Sequence, residues 1–578
     1  MKRLFLCAAA LCLLHVFSAT WAANFPLESL EPGIEGYALT AGPGNDIERF
    51  GVEVLGLQHD VGLGFPLVLV KATGAIIEAS GGVAAGMSGS PVYLEHEGED
   101  ALLGAIGYVF PSSDHSLALV TPISAMQETP QVQVAPFGGE QFARYGVSLE
   151  DAIPVTTPLL FSGLSERAGG QLEDLFQKSP VALLPTQLGN AGSFDEEAYD
   201  LQPGSAVSVQ LVRGDITIAA VGTVTTIEDS SLLAFGHPFL GEGKVSFALA
   251  PAFVSYIVPS DVVPFKLANN GQTLLGTIVQ DRSAAIRGEL GKAPDFLPVT
   301  LTLSGSQGTL TKRFEVTDDE RYYAPLMGAA TLQLFDETKR SVSAGTADLA
   351  WEITLQDGEV VRILEQISDP DDIVSASAAL AAAPLGILAQ NIFEVPNVTK
   401  VELTINYDSE QRYAEIVEVS TNNDSLEPGQ SLTAHVRLQP YRTAPTVKTF
   451  TLRLPEEAEG SIEIIFRGGL EPGDTGGDGD NDDPILSFGE LLVALNDQVQ
   501  SSELVIETFV DGEKVRLKRV SFPYLIQGEE SLEISIDSPE DESEEEESPE
   551  NLLPEDAPEP DEDFPEPGPP LEPTQNLL

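Results

Sequence analysis

Apolar and polar positions alternate with a period near two along most of the chain. The stretches "FGVEVLGLQHD" (50–60) and "FPLVLVKATG" (65–74) alternate or run β-branched, and Gly-rich stretches such as "TAGPGND" separate runs of this kind. That is the pattern of short strands joined by turns. "ALLGAIGYVF" and "SLALVTPI" continue it to about residue 130. Residues 131–204 are mixed, and one helix is expected over "SERAGGQLEDLFQK". Strands return in "AVSVQLVRGDITIAAVGTVTTI", where Gly214-Asp215 reads as a hairpin turn, and continue to about Gly291. Residues 296–365 are again strand-like, whereas the Ala- and Leu-rich "DDIVSASAALAAAPLGILAQNIF" predicts a helix. From "VTKVELTINY" to "GSIEIIFRGG" a last strand-rich module reads as a sandwich. The expected class is mainly β.

The N-terminus changes the setting. Met1-Lys2-Arg3, the apolar run Leu4 to Phe17 and the small-residue exit Thr20-Trp21-Ala22-Ala23 read as an export signal. That run is short for a bilayer, and no later segment is read as a span, so an exported, soluble protein is expected: periplasmic, cell-surface or secreted. Cys7 and Cys12, the two cysteines of the chain, both lie in the signal. A mature chain without thiols has no disulfide, thiolate nucleophile or Cys-based zinc site.

Charge narrows the partners. The chain has 90 acidic against 30 basic residues, a formal net charge of -60. Phosphate recognition needs clustered Lys and Arg, so nucleic acid is not an expected partner. From Asp537 onward there is no Lys or Arg, and the composition reads as a disordered solvating tail or a dock for a basic partner. The stretch "GDTGGDGDNDDP" (473–484) reads as a linker. As an EF-hand loop starting at Asp478 it would need Gly and Glu where Asp483 and Gly489 stand. No metal or cofactor is expected.

Candidate chemistry centres on "GGVAAGMSGSPVYLEHEGEDALLGAIGY" (81–108). Ser88 stands between glycines that permit unusual backbone angles and leave amides unshielded, so the N–H groups of Gly86 and Ser88 could face one oxyanion. The lipase elbow Gly-x-Ser-x-Gly is not matched, because Ser90 replaces its second glycine. A hydroxyl in a Gly/Ser-rich β-turn is the plain alternative. The histidines beyond the signal are His59, His96, His115, His237 and His435. His237 stands out at a glycine-flanked strand end, "LLAFGHPF", where a ring can enter a cleft; a satisfied core histidine is the alternative.

Two segments carry a resemblance. "GTVTTIEDSSLLAFGHPF" resembles the histidine segment of the sporulation stage IV protein B (SpoIVB) family of serine peptidases at Gly222, Thr223, Thr225, Ile227, Ala234, Gly236 and His237, and "LLGTIVQDRSAAIRGELG" looks like its continuation. "GGVAAGMSGSPV" is similar to that family's serine segment. The resemblance implies a trypsin-like double β-barrel and an exported serine endopeptidase acting on protein or peptide substrates. It puts the nucleophile on Ser88, the general base on His237 and the oxyanion hole on Gly86 and Ser88. Two departures stand out. The serine segment precedes the histidine segment, reversing the family order, and the family's aspartate position is Thr73. Asp229, Glu228 and Asp281 are the candidates for a third member. A catalytically weak or inactive peptidase-like envelope or surface binding protein is the competing expectation, and a calcium-dependent adhesin a third.

The resulting layout has a signal peptide at 1–23, a serine-bearing barrel half at 24–130, a connector at 131–204 and a histidine-bearing half at 205–295. A β-rich module with the Ala-rich helix follows at 296–395, and a β-sandwich-like module at 396–472. The remainder is the linker 473–484, a short β segment 485–527 and the acidic tail 528–578.

Overall fold

The computed structural model describes residues 22–58, 63–110, 113–128, 152–176, 183–188, 194–338, 343–423, 425–469 and 485–537. Residues 1–21 of the stretch read as an export signal, His59-Asp60, the stretch read as an Asp/Gly linker and the residues from 538 lie outside the described residues. Strand makes up 53% and helix 16%, so the mainly β expectation holds.

Six strands open the fold: β1 (Glu35–Ala41), β2 (Ile47–Gln58), β3 (Leu67–Thr73), β4 (Pro91–His96), β5 (Glu99–Val109) and β6 (Leu117–Pro122). They pair in the order β4-β1-β2-β3-β6-β5, and β5 returns to β4, which closes a six-stranded barrel. Closure leaves no ladder edge unpaired. The alternation read from sequence sends Val52, Val54, Val68, Val70, Leu103 and Val120 into one core.

The connector contributes β7 (Ile153–Pro154), β8 (Thr157–Ser162) and β9 (Leu183–Leu188). Where one helix was expected, the described residues hold two short ones, Glu166–Gly170 and Glu173–Phe176; the Gly169-Gly170 pair supplies poor helix formers where they part.

A second set follows: β10 (Ala206–Gly214), β11 (Thr217–Glu228), β12 (Ser231–Ala234), β13 (Gly243–Val258), β14 (Phe265–Asn270), β15 (Gly276–Arg282) and β16 (Ala285–Leu290). Pairing runs β10-β13-β15-β16-β12-β11 and returns to β10, a closed ring of six. The β10/β11 hairpin turns at Gly214-Asp215, with Gly214 at φ +116°. Strand β14 pairs with the far end of β13 and reaches back to the first barrel.

The same sheet continues through β17 (Phe296–Gly305), β18 (Gly308–Thr317), β19 (Gly345–Leu355), β20 (Val360–Asp369) and β21 (Val398–Asp408). Two helices, Glu320–Thr338 and Ile373–Gln390, pack on each other and on this extension. The second is the expected Ala-rich helix, and its inner face meets Trp351, whose indole N–H donates to the Ala381 carbonyl at 3.3 Å. The first was not expected, because its tyrosines, threonines and Pro325 obscure the period. By length and composition Ile373–Gln390 would reach across a bilayer, contrary to the expectation of no such segment. A core helix has the same composition, so that alone decides nothing.

The last module has strands β22 (Tyr413–Thr421), β23 (Ser425–Leu426), β24 (Ser431–Pro440), β25 (Thr446–Arg453), β26 (Gly460–Gly468), β27 (Glu503–Val510), β28 (Glu513–Ser521), β29 (Leu525–Gln527) and β30 (Glu529–Ile536). They form sheets β25-β24-β22-β29 and β23-β30-β26-β27-β28 around one core. Its limits differ from the sequence layout: β21 belongs to the large sheet, and β30, beyond residue 528, pairs with β26.

Candidate functional site

Ser88 lies in the loop between the short helix Ala75–Ser80 and β4, and nearly every backbone group of that loop is tied down. Val83 N–H donates to the His115 carbonyl at 2.9 Å, Ala85 N–H to Pro264 at 2.7 Å, and Gly89 N–H to Ile106 at 2.8 Å. Ser88's own carbonyl accepts Thr223 N–H of β11 at 2.8 Å. At Gly89, with φ +90°, a Cβ would stand 2.0 Å from the Thr223 oxygen and 2.5 Å from the Phe235 nitrogen. Only glycine lets the serine turn and the histidine segment come this close.

His237 follows β12 through two consecutive left-handed residues, Phe235 at φ +71° and Gly236 at φ +70°. A phenylalanine there is strained. The turn is held by Phe235 N–H on the Thr223 carbonyl at 3.3 Å and by the Thr121 hydroxyl, which donates to Gly236 at 2.6 Å. A Cβ on Gly236 would lie 2.9 Å from the Ile106 carbonyl, the same oxygen that accepts Gly89 N–H. Serine and histidine turns therefore converge on one stretch of β5, with β11 on the other side.

The imidazole is buried. Nδ1 lies 2.6 Å from the Pro238 carbonyl, which can only accept, so the proton sits on Nδ1 and Nε2 carries the lone pair. Burial pushes the ring pKa down to about 4, against the opposing pull of that carbonyl, so the ring is neutral at pH 7.

Among the described residues Ser88 Oγ and His237 Nε2, both buried, have no hydrogen-bond partner, so they do not bond to each other. Among the described residues the N–H groups of Gly86 and Ser88 have no acceptor either. Their directions follow from trans-peptide geometry. The Ala85 carbonyl accepts Lys266 N–H at 2.9 Å and the Met87 carbonyl accepts Ser90 N–H at 3.0 Å, so the following amides point the opposite way. Lone buried hydroxyls without partners occur elsewhere too, at Thr331 and Ser377. The seam differs in combining a hydroxyl, an imidazole nitrogen and two amides.

The other candidates fall as follows. Asp281 is buried, and its carboxylate accepts the N–H groups of Phe239 at 2.7 Å, Leu240 at 2.6 Å and Gly241 at 2.8 Å. It braces the loop after His237 through backbone, not through the imidazole. Burial holds its carboxyl above the usual range, against those amide donors. Asp229 is exposed at the tip of the β11/β12 hairpin, and neighbouring Glu228 accepts from Gln127 at 2.8 Å. Neither reaches the ring. Thr73 is exposed at the end of β3. His96 packs edge-on to Phe25, and His435 lies in the last module against the Thr449 hydroxyl.

Sequence reasoning missed Lys266. This fully buried lysine of β14 donates from Nζ to the Thr40 hydroxyl at 2.7 Å and to the Thr223 hydroxyl at 3.4 Å, while its stem lies against Gly86. The only signal was one lysine inside the apolar run "VVPFKLA".

A cleft of ≈ 710 Å³ opens between the barrel and the second ring, lined by Leu63, Leu67, Tyr108, Pro154 and Pro238 and also by Asp281, Arg282 and Ser283; neither Ser88 nor His237 lines it. Among the described residues no cluster of His, Cys, Asp or Glu is arranged to hold a metal ion. No protein-family model, no curated protein and no solved structure matches the chain.

Proposed function

We propose that the chain is an exported serine endopeptidase of trypsin-like double-barrel architecture, related to the SpoIVB peptidases, that hydrolyses peptide bonds in protein substrates. The observation that carries this is the meeting of the serine and histidine turns on one stretch of β5, with Ser88 Oγ and His237 Nε2 each buried and unpartnered among the described residues. The closed six-strand ring beside the first barrel and the two family-like segments support it. In this reading Ser88 Oγ attacks the substrate carbonyl while Nε2 takes its proton, and the oxyanion receives the N–H groups of Gly86 and Ser88. Collapse returns the proton to the leaving amine. Water then hydrolyses the acyl-enzyme by the same route. The cleft beside Pro238, mostly apolar with Asp281 and Arg282 in its wall, would receive a neighbouring substrate side chain.

A second reading is a catalytically weak or inactive binding protein. It is favoured by the ring's orienting partner, a carbonyl in place of a carboxylate, since loss of that acid lowers serine-enzyme turnover about 10⁴-fold. Fluorophosphonate labelling separates the two. The wild type is expected to take the label at Ser88, and Ser88→Ala and His237→Ala to lose it. A wild-type protein that takes no label and leaves casein intact overturns the peptidase reading.

A further inference from the structure

Lys266 is a buried amine placed where two structural units and the serine turn meet. Thr40 belongs to β1 of the barrel, Thr223 to β11 of the second ring, and Lys266 to β14, which bridges to Ala85. The Thr223 hydroxyl has one proton and gives it to the Gly86 carbonyl at 2.9 Å, so it accepts from Lys266 Nζ at 3.4 Å. A relay thus runs from the amine through Thr223 to the Gly86 carbonyl. The backbone N–H of Lys266 fixes the preceding peptide by holding the Ala85 carbonyl. One residue grips both peptide planes of Gly86.

We infer that Lys266, acting through Thr223, is the positioning residue that holds the Gly86–Met87 peptide linking the two donor amides, so that the Gly86 and Ser88 N–H groups keep their aim at the developing oxyanion, and that, when charged, it places a cation behind them. The inference rests on the peptidase reading above. Structural need alone does not account for a lysine here. A buried amine is costly, and an apolar side chain of the same length would fill the space. Glu48 of β2, opposite Thr40 in the ladder, is the charged group acting on the amine and favours its protonated form. Burial outweighs it and brings the amine down to about 7, so its charge changes in the range where a hydrolase is assayed. A cation beside an oxyanion stabilises it, so labelling is expected to be faster on the acid side of that change.

The test uses the full chain and a fluorophosphonate probe, with labelling rates at Ser88 measured from pH 5.5 to 9 and folding checked by circular dichroism. The wild-type rate is expected to fall several-fold across neutrality. Lys266→Met should label at least about tenfold more slowly at pH 6, with a flat profile. Thr223→Val should be slow as well, and Thr223→Ser, which keeps the hydroxyl, should recover to within about twofold. A Lys266→Met protein with the wild-type rate and profile overturns the assignment. So does a Thr223→Val protein that labels as fast as Thr223→Ser, and this pair decides the matter if Lys266→Met does not fold. Absence of label on the wild type at every pH removes the peptidase reading, and this assignment with it.

Discussion

Two buried polar groupings invite comparison, one in the last module and one at the serine–histidine seam. In the module, Arg467 and Glu507 are almost fully buried, and Nε donates to the carboxylate at 2.8 Å while Nη1 donates to the Gly468 carbonyl at 3.2 Å. Glu503 nearby takes Arg519 Nε at 2.6 Å and Gln500 N–H at 2.8 Å. Each of these carboxylates meets a matched donor. At the seam, Ser88 Oγ and His237 Nε2 are just as deep and have no partner. Burying a polar group without a partner costs free energy, and the seam gathers a hydroxyl, an imidazole nitrogen and two amides that bear this cost together. The contrast separates polar groups whose bonds hold structure from polar groups that the proposed peptidase reading would use for chemistry.

The strongest way to break the comparison is at the glycine that joins the two turns. Gly89→Ala puts a methyl group against backbone atoms at a left-handed position, and should destabilise the protein by about 4 kcal/mol or more while abolishing labelling. A folded, labelled Gly89→Ala protein in denaturant titration would show that the close approach is dispensable. Next, Arg467→Met leaves Glu507 buried and unpaired, which should cost about 3–5 kcal/mol, whereas the double change Arg467→Met with Glu507→Met should be far milder. Urea unfolding of the single and double variants gives both numbers.

Acid stability sharpens the seam's side. His237 is neutral in the fold down to about pH 4, whereas the unfolded ring takes a proton near 6.5. Between those values the unfolded state binds more protons, so stability rises with pH and is lost as the pH falls from about 6.5 towards 4. His237→Asn should remove a slope worth about 2–3 kcal/mol across that window, measured by unfolding at pH 7 and pH 4.5. The smallest effect belongs to Ser88→Ala. Deleting an unpartnered hydroxyl should change stability by less than about 1 kcal/mol while removing all labelling. A large loss of stability there would mean that Ser88 serves the fold.

Much of the barrel was legible, because period-two alternation and Gly-rich turns are local: β2, β3, β5, β6 and the β10/β11 hairpin all fall on the stretches that predict them. The helix Glu320–Thr338 was not, since its inner face is defined by what it packs on and not by a clean period. Strand β21 reads as the start of the sandwich and instead pairs with β17 and β19, a choice made by partners remote along the chain. At the candidate site, Ser88 drew notice because it lies between glycine-rich neighbours and His237 because Gly236 precedes it at a strand end, each within a family-like segment. Asp281's three amide donors and Lys266's grip on Gly86 left no such trace.

The chain on its own determined which segments extend, where they turn, and which two candidate residues adjoin glycine turns. Those are near-neighbour properties: side-chain periodicity, glycine's missing Cβ, proline's fixed angle. Tertiary structure alone decided that residues 88 and 237 share a seam, that a carbonyl and not a carboxylate holds the imidazole, and that a lysine lies behind the serine turn. Burial and hydrogen bonding between distant segments depend on how closed rings of strands bring them together, and no short window of residues contains that information.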